Sequence, residues 1–232
     1  PDYALAVYSD SLPDKYHGLQ DVEARYRQRY LDLMSNADAV DVLKMRCDVV
    51  RLIRTFFHDR GYLEVETPMM QAIPGGASAK PFATHLNALN LPLYLRIAPE
   101  LYLKRLVVGG MPRVFELNRN FRNEGMSTRH NPEFTMVEFY QAYATYHDMM
   151  DLTEALFEML LAELLQSKTL AYEDHTIDFA SFRRISLADI LIETHAVLTS
   201  DTIRDRQTLA GLAADHGVQV LPAWGVGKIQ LE

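Results

Sequence analysis

Between Phe115 and Tyr140 the chain reads FELNRNFRNEGMSTRHNPEFTMVEFY, which sets arginines, a histidine, an aromatic ring and carboxylates within a short span. Arg119, Arg122, Arg129 and His130 crowd the end of one strand-like run. Phe134, Glu138 and Tyr140 fall on one face of the next, because side chains alternate along a strand. A guanidinium grips a phosphate through a planar fork of two hydrogen bonds, and Arg122 is the leading candidate for that role. Phe134 offers a flat surface to a base, worth about 1–3 kcal/mol per stacked base. Glu138 and Tyr140, two residues apart, can address one ammonium group; at about 4 Å and an effective dielectric near 20 the attraction is roughly 4 kcal/mol before desolvation. The competing reading pairs Glu138 internally with a hairpin arginine. Together the set suits a ligand with phosphates and a flat base, beside a second group of positive charge.

Other chemistries lack their residues. No GxxxxGK[ST] or GxGxxG phosphate loop is present, no GxSxG elbow, and no HExxH or Cys/His pattern for a protein-held metal. Without a nucleophile, the protein is expected to orient two substrates that react directly and to neutralise the charge they develop.

Such residues need a frame. Two runs of period two flank the turn-rich stretch Asn123–Pro132, which predicts an antiparallel hairpin with a mobile tip. Pro99 is placed at the first position of a helix that ends at Gly109-Gly110, with Glu100 in its first turn. Pro74-Gly75-Gly76-Ala77-Ser78-Ala79 is a loop of small residues that backbone or ligand can approach closely. Strands are expected at Tyr3–Tyr8, Tyr62–Glu66, Phe82–Asn87 and Pro92–Ile97. Helices are expected over Val22–Met34, from an Asp41 cap to Gly61, over Asp148–Gln166, after Ser186, and from Thr202 to His216. Val42, Met45, Val49, Ile53 and Phe56 form a stripe read as core, with Cys47 as a small core residue. A small hairpin is expected around Glu173-Asp174-His175, with a broken end from Trp224 to Glu232. Arg25, Arg27 and Arg29, interleaved with Tyr26 and Tyr30, fit either a nucleic-acid backbone or internal pairing with nearby acids, the latter slightly favoured.

The 232 residues are 48% hydrophobic, ample for a packed core, and carry a formal net charge of -8. That balance argues against a globally basic nucleic-acid binder, so any such contact must come from local patches. A single cysteine rules out an internal disulfide framework and fits a reducing, cytosolic setting. No apolar run reaches the length of a membrane span.

Several segments resemble the class II aminoacyl-tRNA synthetases. Asp59–Met70 (DRGYLEVETPMM) is similar to their motif 1 and Phe121–Tyr140 to their motif 2, while Ala24–Leu33 (ARYRQRYLDL) resembles the entry to the aspartate, asparagine and lysine subclass. Ile73–Phe82 (IPGGASAKPF) and Leu95–Gly110 (LRIAPELYLKRLVVGG) narrow the resemblance to bacterial-type lysyl-tRNA synthetases. It implies an α+β fold, with an antiparallel sheet flanked by helices and incomplete here. Residues 1–20 would be the end of an OB-type anticodon-binding barrel and its linker, and 21–232 the N-terminal part of the catalytic domain. The implied reaction is ATP-dependent activation of L-lysine to lysyl-adenylate, with Mg2+, followed by transfer to tRNA(Lys) in a cytoplasmic homodimer.

Carried over by position, the resemblance puts Arg122 on the α-phosphate and Arg129 and His130 toward the pyrophosphate. Glu124 and the Asn131 backbone would address adenine, and Phe134 would stack on it. Gly76 and Glu100 would receive the α-amino end of lysine, Glu138 and Tyr140 its ε-ammonium, and Pro68 would lie at the dimer interface. The family's motif 3 and its magnesium carboxylates have no counterpart and would lie beyond Glu232, which implies that this stretch alone is inactive and marginally stable. Two alternatives accompany this reading: a synthetase-like ligase that attaches lysine or β-lysine to a protein, and a non-catalytic module that dimerises or binds nucleic acid.

Overall fold

The alternation on either side of Asn123–Pro132 produces two nine-residue strands, Arg113–Phe121 and Glu133–Gln141. They pair antiparallel, with Val114 opposite Tyr140, Glu116 opposite Glu138 and Asn120 opposite Phe134. This geometry comes from a computed structural model that describes residues 18–232, and the strand expected over Tyr3–Tyr8 lies outside the described residues. The chain divides into two compact units, one ending at Phe179 and the other running from Ala180 to Glu232. Its fold class is α+β.

The first unit opens with α1 (Val22–Arg27) and α2 (Arg29–Ser35), so the single helix expected there is interrupted at Gln28, whose φ of -116° and ψ of 59° are not helical. Asp32 is buried and bonded by both Arg25 and Arg29, and Arg27 pairs with Glu23. Hydrogen bonds from Asn36, and then from the two arginines, hold the Asp32 carboxyl below the usual carboxylate range. These arginines therefore fasten their own segment, as the favoured reading had it. Helix α3 (Ala37–Asp59) starts at an Asn36 cap rather than at Asp41, which lies inside it. Apart from Ala39, the buried residues of α3 lie in its second half. Leu52, Phe56 and Phe57 are buried, whereas Val42 is 68% and Met45 42% exposed, and Cys47 is exposed rather than a core residue. Periodicity marks a face of a helix, but the first turns of α3 run past the sheet that the last turns pack on.

Gly61, at a φ of 74°, turns the chain out of α3 into β1 (Leu63–Glu64), shorter than expected. Then follow β2 (Met70–Gln71), β3 (Ala83–Leu86) and β4 (Leu91–Leu95). Helix α4 spans Glu100–Val108, with Pro99 as its cap instead of its first residue. The hairpin strands are β5 (Arg113–Phe121) and β6 (Glu133–Gln141), and α5 (Tyr146–Leu164) begins at a Thr145–Asp148 capping box, two residues before the expected start. The small hairpin is β7 (Thr169–Tyr172) with β8 (His175–Asp178). One sheet has the order β1-β5-β6 with β1 parallel to β5, and another the order β2-β4-β3.

Alternation gives the hairpin two unlike faces. Phe115, Leu117, Val137 and Phe139 join Phe56, Phe57, Tyr62 and Leu156 in one core beneath α3 and α5. Phe57 stacks on Phe115 at 4.9 Å and lies 4.8 Å from Phe139; each aromatic pair adds about 0.5–1.5 kcal/mol beyond the area it buries. The opposite face carries Glu116, Asn118, Asn120, Phe134 and Glu138, of which Glu116 and Asn120 are buried and the other three partly exposed.

The second unit holds α6 (Leu187–Thr194), capped by Ser186 as expected, α7 (Arg206–Asp215) and α8 (Val226–Leu231). Thr202–Arg204 is a separate 3-10 turn, since Asp205 caps α7 and breaks the longer helix expected there. The end of the chain, expected to be broken, is helical in α8. Leu198, Ile203, Leu209 and Ile229 form its core.

Candidate active site

This polar face of the hairpin has two ends. Toward the base of β6, Tyr140 donates its hydroxyl to Glu138 Oε2 at 3.2 Å. Burial, then the neighbouring carboxylates Glu138 and Glu100, push the Tyr140 phenol far above its usual range, so it stays a hydrogen-bond donor. Burial also raises the Glu138 carboxyl, against the bond from Tyr140. Among the described residues Glu138 makes no ion pair, so the competing internal pairing with a hairpin arginine is not what holds it. A half-buried carboxylate without a cation is costly, and an incoming ammonium group relieves that cost.

Glu100 lies at the start of α4, where its Oε1 accepts from Lys104 Nζ at 2.6 Å, and Lys104 also lies 5.9 Å from the Tyr140 ring centroid. This exposed i,i+4 pair is worth only about 0.3–0.5 kcal/mol, too little to keep another ammonium from Glu100. Gly76 presses against the same turn at a φ of 87°; a Cβ there would stand 2.7 Å from Cβ of Glu100. Gly76, Glu100, Glu138 and Tyr140 thus gather at one end.

At the other end Arg122 continues the alternation of β5, and its guanidinium carbon lies 5.2 Å from the Phe134 ring centroid. Among the described residues its Nε is buried without a hydrogen-bond partner, which is uncommon for a buried donor. Phe134 and Glu138 are four residues apart on one strand, about 13 Å at roughly 3.3 Å per residue. The face therefore has room for two joined ligand groups. Glu124 Oε1 accepts from the Lys80 backbone N–H at 3.3 Å, and the Asn123 N–H donates to Lys80 O at 2.7 Å, which ties the hairpin tip to the loop after Gly76. His130 Nδ1 meets Ser127 Oγ at 2.8 Å, and Arg129 and Asn131 are exposed at the tip. Pro68 is exposed between β1 and β2.

Arg119, grouped with Arg122 by sequence proximity, does not share its face. An odd spacing sends it to the opposite side, where it pairs with Glu133 at 3.5 Å. Residue types alone also missed a buried network behind the site. Arg96 Nη1 donates to Glu116 Oε1 at 2.6 Å, and Thr67 Oγ1 donates to Glu116 Oε2 at 2.6 Å. Glu116 shares its alternation with Asn118 and Asn120, a polar rhythm that could have marked this face.

The hairpin thus sets Arg122 beside the Phe134 ring at one end of a face and, at the other, the Glu138 carboxylate bonded by the Tyr140 hydroxyl. The family model for class II tRNA synthetases of the D, K and N group matches residues 21–215, and the chain belongs to that family. It is 52% identical over 222 residues to the lysine–tRNA ligase of Vesicomyosocius okutanii, an alignment that covers 95% of this chain and 45% of that protein. Against the lysine–tRNA ligase of Idiomarina loihiensis it is 54% identical, covering 95% and 44%. Against that of Dichelobacter nodosus it is 64% identical over 182 residues, covering 78% and 36%. The chain spans less than half the length of these relatives.

Proposed function

We propose that the protein carrying this chain activates L-lysine with ATP and transfers it to tRNA(Lys). The observation that carries this reading is Glu138: a half-buried carboxylate with a tyrosine hydroxyl and no cation of its own, on the same face as Arg122 with its unpartnered Nε. Lysine would set its ε-ammonium against Glu138 and Tyr140 and its α-amino group against Glu100 beside Gly76. Its carboxylate oxygen then attacks the α-phosphorus of ATP; the new P–O bond forms as the bond to pyrophosphate breaks. Arg122 holds the α-phosphate oxygens and offsets the charge that builds on them. Phe134 stacks adenine, Glu124 and the Asn131 backbone address its edge, and Arg129 and His130 at the hairpin tip meet the pyrophosphate.

Magnesium would neutralise the polyphosphate. Among the described residues no three His, Cys, Asp or Glu side chains come together as a metal site, so no step here is assigned to it. The dimer contact is assigned to Asp59–Met70 with Pro68, and the setting to the cytoplasm. No helix among the described residues is long and apolar enough to cross a membrane. The test is lysine-dependent ATP–pyrophosphate exchange in a protein of the relatives' full length. Exchange that depends on lysine and is lost in Glu138→Gln supports the reading; exchange that ignores lysine rejects it.

A further inference from the structure

Glu116 and Glu138 occupy directly opposed positions of the β5–β6 ladder and so project from the same face. Like charges placed this way repel. Glu116 is 1% exposed, and the group that meets it is Arg96, just after β4 and fully buried. The guanidinium is held from several sides: Nη1 donates to Glu116 Oε1 at 2.6 Å and Thr67 Oγ1 at 3.0 Å, and Nε donates to Arg119 O at 2.9 Å. The Arg96 backbone joins the same elements, its N–H donating to Met69 O at 2.8 Å and its carbonyl accepting from the Phe121 N–H at 3.0 Å. Its Nη2 is buried without a partner among the described residues. Four residues later the chain reaches Glu100.

We propose that Arg96 is a positioning residue for ammonium recognition: it takes up the charge of Glu116 so that Glu138 stays ionised, and it fixes the β4–α4 turn that carries Glu100. The inference rests on the reading of Glu138 as the ε-ammonium site. The charged and titratable groups around Glu138 are Glu100 and Lys104 from α4, Arg96 after β4, Glu116 from β5 and Tyr140 from β6. Burial works against the Glu138 anion most strongly; Glu100 and Glu116 work in the same direction, while the Tyr140 hydroxyl and Arg96 oppose them. Removing the Arg96 charge would leave the Glu116 carboxylate unopposed opposite Glu138, since Glu100 keeps its pairing with Lys104. Glu138 would then hold its proton to higher pH, and the ammonium site would be neutral when lysine arrives.

The experiment is calorimetric titration of L-lysine into the full-length protein across about pH 5 to 8, with Kd plotted against pH. In the wild type, affinity falls toward acid as Glu138 protonates. Glu116→Gln keeps the shape and most hydrogen bonds of Glu116 but removes its charge, and should move that acid limb down by about half a pH unit or more. Arg96→Lys keeps the charge and should leave the limb in place while weakening lysine at every pH, because the fork that fixes the turn is lost. An acid limb unchanged in Glu116→Gln overturns the proposal, and this near-isosteric variant decides the matter even where an Arg96 variant does not fold. Glu138→Gln separates the two ideas: it should flatten the pH dependence and cut lysine affinity at least about tenfold. Wild-type affinity in that variant rejects Glu138 as the ammonium site, whereas a normal Glu138→Gln effect with an unmoved Glu116→Gln limb rejects only the role of Arg96.

Discussion

A methyl group at Gly76 would stand 2.7 Å from Cβ of Glu100, closer than side-chain carbons sit, and 3.2 Å from Cβ of Ala98. The contact couples a glycine loop to the turn that presents a site carboxylate. Gly76→Ala carries two penalties, about 1–2 kcal/mol for a positive φ of this kind and the displacement of Glu100. Gly110, at a φ of 99° with open space around it, isolates the first penalty. Urea denaturation should show a larger loss for Gly76→Ala than for Gly110→Ala. Equal losses would mean that the Glu100 turn yields freely and does not depend on a bare glycine.

Glu138 links stability to pH in the direction opposite to most acids. Its carboxyl is raised in the fold, so the folded chain binds its proton more tightly than the unfolded chain does. Stability from this group is therefore present below the ordinary carboxylate range and is lost as pH rises toward the raised folded value. Glu138→Gln should stabilise the chain at neutral pH and leave it unchanged at low pH, while weakening lysine far more than ATP. Thermal melts at the two pH values check this. A variant less stable at neutral pH would show that the carboxylate supports the hairpin.

Arg122 separates charge from shape. Among the described residues its Nε is buried without a partner and its guanidinium carbon lies 5.2 Å from the Phe134 centroid; in the proposed role its planar fork would hold a phosphate. Arg122→Lys retains the positive charge but replaces two directed bonds by a point charge. The adenylation rate should fall by about a hundredfold, in the range seen when a transition-state donor is lost, with lysine affinity nearly unchanged. Pyrophosphate exchange measured against lysine concentration distinguishes this from a binding defect, which would raise KM at constant kcat.

The hairpin was legible in the sequence because alternation, turn residues and length all agree, and Phe134, Glu138 and Tyr140 share a face as that alternation requires. Arg119 illustrates the limit of proximity: three residues from Arg122, it lies on the other side of the sheet. Local signals also shifted helix starts by one to five residues, as when Asn36 rather than Asp41 caps α3. Cys47, Val42 and Met45 follow a helical stripe faithfully, yet a stripe does not say where the packing partner ends. The Arg96–Glu116 contact joins residues twenty apart, one just after β4 and the other on β5. Nothing in either segment marks the other as its partner, so only the folded chain brings them together.

That contact makes the sharpest stability prediction. Arg96 and Glu116 are 0% and 1% exposed, bonded at 2.6 Å, with Thr67 satisfying the second carboxylate oxygen. Desolvating both groups cancels much of their attraction, but removing one leaves a buried charge with no counterion, at a cost of about 3–5 kcal/mol. Glu116→Leu alone should incur that cost. Arg96→Met with Glu116→Leu removes both charges; the hydroxyl, N–H and carbonyl of Thr67, the Asn118 amide and the carbonyl of Arg119 lose partners, at roughly 1 kcal/mol each, but the bonds to Glu116 are already lost in Glu116→Leu and no ion remains stranded. The double variant should thus be more stable than Glu116→Leu alone, although it carries an additional substitution. Urea unfolding of the wild type, both single variants and the double variant closes the cycle, and a coupling of at least about 1.5 kcal/mol is expected. Additive losses would mean that water or chain movement already relieves the lone charge, and the dry interior inferred for this pair would be wrong.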